Sequence, residues 1–202
     1  KLRFKKLALI FSEILKTKDI KMADLTFKGT TQQVLFEIGK GASSKIDANT
    51  KVTITDNEYT LGNLTTITTT VTANKIKLEK TSAAVDFADT FTNLNAVLPK
   101  VEKYTGPVTL TDAGGVNATN LNTIAAATTG KVTATLLPAT TIDAATVTAL
   151  KDVNSTDNIT FVTAESDIVG KSNLEAFVAL NKKLSDADWT TITDFKGTAS
   201  EL

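Results

Sequence analysis

The sequence predicts an α/β fold: a repeat solenoid of strand–helix units with a parallel sheet on one side and short helices on the other. Three observations carry this expectation. Alternating apolar and polar runs return at intervals of about 24 to 32 residues, the range in which self-similarity marks a stacked array. A second motif, Asn-Leu followed three residues later by another apolar residue, with Thr146-Val147 filling one gap, keeps its own period, with steps of 30, 27, 26 and 27 residues. Threonine supplies 37 of the 202 residues, most of them after Lys51, and it suits the exposed side of a strand.

One complete unit lies between Pro107 and Leu137. It opens with Val108-Thr109-Leu110-Thr111-Asp112, whose period of two is that of a strand with one buried face. After the Gly114-Gly115 break the period changes. Leu121 and Ile124 fall on one face of a helix, and Gly130 stands where a helix C-cap belongs. The next strand begins near Lys131.

Residues 1–24 differ from the rest. Lys1 to Lys21 contain seven basic and two acidic side chains, with Leu7, Ile10, Phe11 and Ile14 on one helical face. This is a basic amphipathic helix, either capping the first open end of the stack or anchoring the chain to an anionic surface. Residues 25–202 form the strand–helix repeat. Its strands are expected at Leu25–Phe27, Val52–Asp56, Ile76–Glu79, Val108–Asp112, Val132–Thr135, Ile159–Phe161 and Thr190–Asp194. Its helices are expected around Leu64 and Ile67, Leu94 and Val97, Leu121 and Ile124, Val147 and Leu150, and Leu174 and Phe177; Leu35 and Ile38 extend the series upstream.

A unit of this size cannot bury its apolar side alone, so the copies must stack. Val52, Ile54, Ile76, Leu78, Val108, Leu110, Val132, Ala134, Ile159, Phe161 and Ile192 then point inward. The alternate positions Thr53, Thr55, Thr109, Thr111, Thr133, Thr135, Thr191 and Thr193 point outward as columns of hydroxyls and methyls, and that face is the candidate binding surface. The repeated asparagine is either a rung of a buried ladder between neighbouring units or a helix-start residue.

Composition narrows the chemistry. The chain has no cysteine and no histidine, which excludes disulfides, thiolate or imidazole metal sites and every Ser-His or Cys-His nucleophile. No carboxylate pair or glycine-rich phosphate loop stands out, and the expectation is a protein that is not an enzyme. Basic and acidic residues balance at 22 each, so there is no overall field to draw nucleic acid. No apolar run reaches the length of a transmembrane helix.

Asp56, Asp112 and Asp194 each close a Thr-x-Thr run before a turn. Two roles fit them. Helix N-capping or an Asx-turn needs one aspartate per unit, whereas calcium takes six to eight oxygens and would need ligands shared between subunits.

The units VTLTDAGGVNATNLNTIAAATTGKVTATL and NITFVTAESDIVGKSNLEAFVAL resemble the Thr/Ala/Asn-rich repeat region of bacterial surface-layer (S-layer) proteins and of type I-secreted repeat adhesins. The resemblance covers about Lys51 to Leu202. It implies an extracellular, cell-surface structural protein that self-associates into an array or filament, of a kind often dependent on calcium, with no other cofactor expected. The chain departs from it in lacking glycine-aspartate nonapeptide repeats and a wall-anchoring module. The other function compatible with such a face is an adhesin-type module binding a cell-envelope glycan or a protein.

Overall fold

In a computed structural model the chain is described at residues 25–72, 76–80, 85–102, 104–138, 140–184 and 186–198. The basic segment 1–24 lies outside the described residues. Six helices alternate with short strands in a mixed α/β arrangement. The order is β1 (Thr26–Gly29), α1 (Thr31–Ile38), β2 (Lys51–Ile54), α2 (Leu61–Thr70), β3 (Ile76–Leu78), β4 (Phe87–Asp89), α3 (Phe91–Val97), β5 (Val101–Glu102) and β6 (Val108–Leu110). There follow α4 (Ala118–Ala127), β7 (Val132–Thr135), α5 (Ala144–Ala149), β8 (Asn158–Val162), β9 (Asp167–Val169), α6 (Lys171–Lys183), β10 (Asp186–Asp188) and β11 (Asp194–Lys196).

Every strand pairing is parallel. The strands do not make the single sheet expected. They form three, in the orders β1-β2-β3-β5, β10-β8-β7-β6-β4 and β11-β9. The reason lies in the chain's corners: several units spend two short strands instead of one, as with β5 and β6 or β8 and β9. Partner residues are nevertheless separated by nearly one interval, from 20 residues (Val116 and Leu136) to 27 (Asp167 and Asp194). Helices contact one another in chain order, from α1 against α2 through to α5 against α6.

The helix starts explain why the Asn-Leu motif recurs. Thr30, Thr60, Thr90, Asn117, Asp143 and Gly170 are the N-caps, and the motif asparagine is the third helical residue after the cap. In α2, Asn63 and Thr60 close a reciprocal capping box, as Gln33 and Thr30 do in α1. Asn93 donates to Asp89 within its own unit at 2.8 Å. These asparagines are therefore helix-start residues, not rungs between units. The leucine that follows is driven inward: Leu64, Leu94 and Leu121 are fully buried, and Leu174 packs against the same core as a partly buried residue. In α1 that place is taken by buried Val34, while Leu35 and Ile38, expected there, are only partly buried.

The inward strand positions Val52, Ile54, Ile76, Leu78, Val108, Leu110, Val132, Ala134, Ile159 and Phe161 are all buried in one apolar cluster. Two other expectations change. Gly130 is not a C-cap: α4 ends at Thr128, and Gly130 lies where a β-carbon would overlap the Gly106 carbonyl of the neighbouring turn. The strand expected at Thr190–Asp194 is a turn between β10 and β11. Thr190 donates its amide to Asp188 at 2.9 Å and Ile192 to the Trp189 carbonyl at 3.0 Å, which pulls Thr191 and Ile192 out of the ladder.

Truncation inside the shared core should cost more than truncation at its margin. Leu121→Ala is expected to lower unfolding free energy by about 2–5 kcal/mol and Leu174→Ala by clearly less. Urea denaturation midpoints at constant slope check both.

Candidate functional site

The outward face is built by parallel register. On the sheet of β6 to β8, Ala88, Thr109, Thr133 and Asn158 form one file, and Thr135, Thr160 and Asp186 form a second. Thr109 and Thr133 are half-buried, while Thr135 is exposed. On the first sheet the file reads Lys28, Thr53, Lys77, Glu102, so Thr53 lies between two lysines. Lys28 forms an ion pair with Glu79 at 2.7 Å.

The expected threonine columns are thus brought together only in part. Thr109 with Thr133, and Thr135 with Thr160, are neighbours. Thr55 and Thr111 lie one residue past their strands, each donating its amide to the preceding unit, Thr55 to Gly29 and Thr111 to Asp89, both at 3.0 Å. Thr191 and Thr193 leave the face altogether, their hydroxyls donating to the Thr163 carbonyl at 2.9 Å and the Ser166 carbonyl at 3.3 Å.

The aspartates show a different organisation. Both carboxylate oxygens of Asp56 accept the Thr31 amide, at 3.1 and 3.0 Å, and Oδ1 accepts the Thr31 hydroxyl at 2.6 Å. Asp112 accepts the Phe91 amide at 2.7 Å. Thr31 and Phe91 are the first residues of α1 and α3, so each carboxylate seats on the positive end of the helix in the unit before its own. Glu165 does the same just ahead of α5, accepting the Ile142 amide at 3.0 Å. Asp194 caps no helix in this way; it is an exposed strand residue in register with Asp167.

The opposite helix ends are met from the same direction. Lys100, after α3, donates to the Thr68 carbonyl near the end of α2 at 3.4 Å. Lys183, at the end of α6, donates to the carbonyls of Leu150, Lys151 and Val153 at 2.9, 3.3 and 3.1 Å, closing α5. Between α4 and the turn after α5, Asn122 and Asp152 exchange two hydrogen bonds, at 2.9 and 2.7 Å. They sit on the rim of an open cleft of about 570 Å³ that Leu98, Tyr104 and Thr128 also line. The Tyr104 ring stacks on Phe87 at 4.8 Å and its hydroxyl donates to the Val85 carbonyl, so burial raises its pKa.

Sequence reasoning missed Glu165, Lys100 and Lys183. Glu165 shares with Asp112 a place just past a strand, and a basic residue one turn beyond the apolar helix positions is the signal for the lysines. Among the described residues no three or more acidic side chains gather around one point, and the oxygens of Asp56 and Asp112 are engaged by amides. No helix of the described residues is long and apolar enough to cross a membrane. Comparison with protein-family models, curated proteins and solved structures returns no match.

Asp112→Ala is expected to destabilise the fold by about 0.5–2 kcal/mol, the usual worth of a helix N-cap, and Asp194→Ala by near nothing. Chemical denaturation distinguishes them. Hydrogen bonds from the Thr146 amide and then the Thr141 hydroxyl hold the Asp143 carboxyl below the ordinary carboxylate range. Its stabilisation is complete above that range and drains as pH falls through the lower folded value. Asp143→Asn keeps the cap but removes the proton, so its stability should fall less steeply below about pH 4 than that of the parent chain. Thermal midpoints followed through the acid range test the slope.

Proposed function

We propose that this chain is a structural, self-assembling cell-surface protein, an S-layer subunit or a unit of an extracellular filament or coat, whose strand–helix units stack as a repeat solenoid. The single observation that carries the reading is that side chains of later units complete the helix ends of several earlier ones. Asp56, Asp112 and Glu165 reach back to helix starts, Lys100 and Lys183 reach back to helix ends, and every strand pairing is parallel. A chain organised in this manner is a scaffold: its polar side chains are spent on joining neighbours. Its sheets are open, and an unpaired parallel edge is a template for further pairing. The resemblance to S-layer and adhesin repeats supports reading such a scaffold as a coat at the exterior of a cell.

A second reading is an adhesin-type module for a glycan or protein, favoured by the adjacent hydroxyls of Thr109 with Thr133 and Thr135 with Thr160. Sugar hydroxyls pair with such a face, whereas a lattice contact would cover it. Calcium enters either reading as an ion bridging subunits, with Asp194, exposed and capping no helix, the best placed of the three aspartates.

Purified protein imaged by electron microscopy and sized by sedimentation is expected to form ordered arrays or filaments, more readily with millimolar calcium than with chelator. A strict monomer at high concentration under both conditions overturns the assembly reading, and specific retention on a glycan array by that monomer would put the adhesin reading in its place.

A further inference from the structure

We infer that the open cleft of about 570 Å³ along α4 is a sugar-binding site, in which Asp152 takes the hydroxyls of one pyranose residue of a glycan and Pro99 and Ala126 meet its C–H groups. The inference is independent of the assembly reading. It rests on the adhesin reading for the class of ligand, and it moves that ligand from the threonine face to this cleft.

The cleft follows from helix length. α4 has ten residues, whereas its neighbours α3 and α5 have seven and six. α3 gives way to the tighter turn Leu98–Lys100, and α5 ends at Ala149, so the cleft opens along the last turn of α4 with Pro99 and the Lys151–Asp152 turn on its borders. Ala126 and Ala127 line it there, and their small side chains leave the space open. Every lining residue belongs to an interior unit. The volume falls in the range of about 300–1,000 Å³ usual for small-molecule sites.

The polar edge is fixed in advance. Asn122 donates to Asp152 Oδ2 at 2.9 Å, Lys151 donates to the same oxygen at 2.7 Å, and the Asp152 amide donates to Asn122 Oδ1 at 2.7 Å. Lys183 holds the same turn through the carbonyls of Leu150, Lys151 and Val153. Both hydrogen bonds to the carboxylate therefore fall on Oδ2. Oδ1 accepts none from the described residues, and the side chain is 33% exposed, so acceptor sites remain for a ligand. Lys151 first and Asn122 second hold this carboxyl below the ordinary carboxylate range, which keeps it an acceptor. A group already oriented in this way loses little freedom on binding.

These features select the ligand. A lone carboxylate supplies too few oxygens for calcium and repels an anion, while Lys151 beside it opposes a cation. An apolar ligand would strip water from Asp152 without replacing its hydrogen bonds. A pyranose satisfies both halves of the cleft. Its hydroxyls donate to the carboxylate, and its C–H groups cover exposed Pro99 and Ala126 and half-buried Ala127. Exposed Thr129 adds a further hydroxyl to the lining.

Saturation-transfer NMR on the full chain tests the site, with the methyl pyranosides of glucose, mannose, galactose and N-acetylglucosamine as probes. At least one should bind, and an oligosaccharide of the same sugar should bind at least as tightly; binding that the longer chain loses overturns the glycan as the source and leaves a free sugar. Asp152→Asn keeps an acceptor for Asn122 but turns the open oxygen into a donor, so the Kd for that sugar should rise at least about tenfold. Ala126→Leu places a good helix former at an exposed position, removes no hydrogen bond and fills the cleft, so binding should be lost. Thr133→Val, on the outward sheet face, should leave binding unchanged. Circular dichroism confirms that each variant folds. Binding that persists unchanged in Asp152→Asn and Ala126→Leu overturns the cleft, and its loss in Thr133→Val would return the ligand to the threonine face with the adhesin reading intact. Absence of binding by all four probes overturns the inference and leaves the assembly reading standing.

Discussion

The constraint on which the structure depends is that no unit can finish itself. A strand of two to five residues and a helix of six to thirteen leave one apolar side and two sets of unpaired backbone groups. The apolar side is met by the common core in which Leu64, Leu94 and Leu121 lie. The backbone groups are met by charged side chains from the following unit: Asp56 and Asp112 at helix starts, Lys100 and Lys183 at helix ends. Each of these charges is favourable at the dipole end it meets. Stability is consequently shared between neighbouring units.

The threonine excess follows from the same demand for internal hydrogen bonding more than from a surface requirement. In α2, LGNLTTITTT, the hydroxyls of Thr65, Thr66 and Thr69 donate back to the carbonyls of Leu61, Gly62 and Thr66 at 2.9, 3.1 and 2.7 Å. Thr123 and Thr148 do likewise in α4 and α5. Thr30 and Thr60 cap helices, and buried Thr128 donates to the Gly106 carbonyl at 2.9 Å. Threonine serves here because one short side chain supplies a donor, an acceptor and a methyl that packs.

Much of this was legible from periodicity. The inward set from Val52 to Phe161 could be read directly because a period of two leaves no other solution once one face is buried. The helices could be located because Asn-Leu marks the third and fourth residues after a cap. Other features were not legible, for reasons that are physical. The break into three sheets comes from corners whose tightness depends on contacts between turns, such as Gly130 against the Gly106 carbonyl, and no local pattern encodes them. Thr190–Asp194 has the alternation of a strand, and a competing side-chain bond from Asp188 overrides it. Of the three aspartates for which the sequence left capping and calcium open, Asp56 and Asp112 meet helix starts of the preceding unit and Asp194 does not, since sequence proximity carries no information on which helix start lies within 3 Å.

The direction of these contacts gives the molecule a polarity that the terminal units express differently. All the cross-unit caps run from a later unit to an earlier one, so the first described helix, α1, receives its carboxylate from Asp56, while α6 begins at Gly170 without any side-chain cap. Among the described residues no helix follows α6, and other contacts hold it. α6 is the longest of the six, with Lys182 and Lys183 in its last turn to oppose the dipole. It also carries Phe177 into an aromatic cluster with Trp189 at 5.2 Å and Phe195 at 5.6 Å, and Trp189 in turn meets Phe161 at 5.5 Å. That cluster supplies apolar contact to α6, where α1, α3 and α5 receive a carboxylate, and it leaves Phe195 and Val178 at the surface.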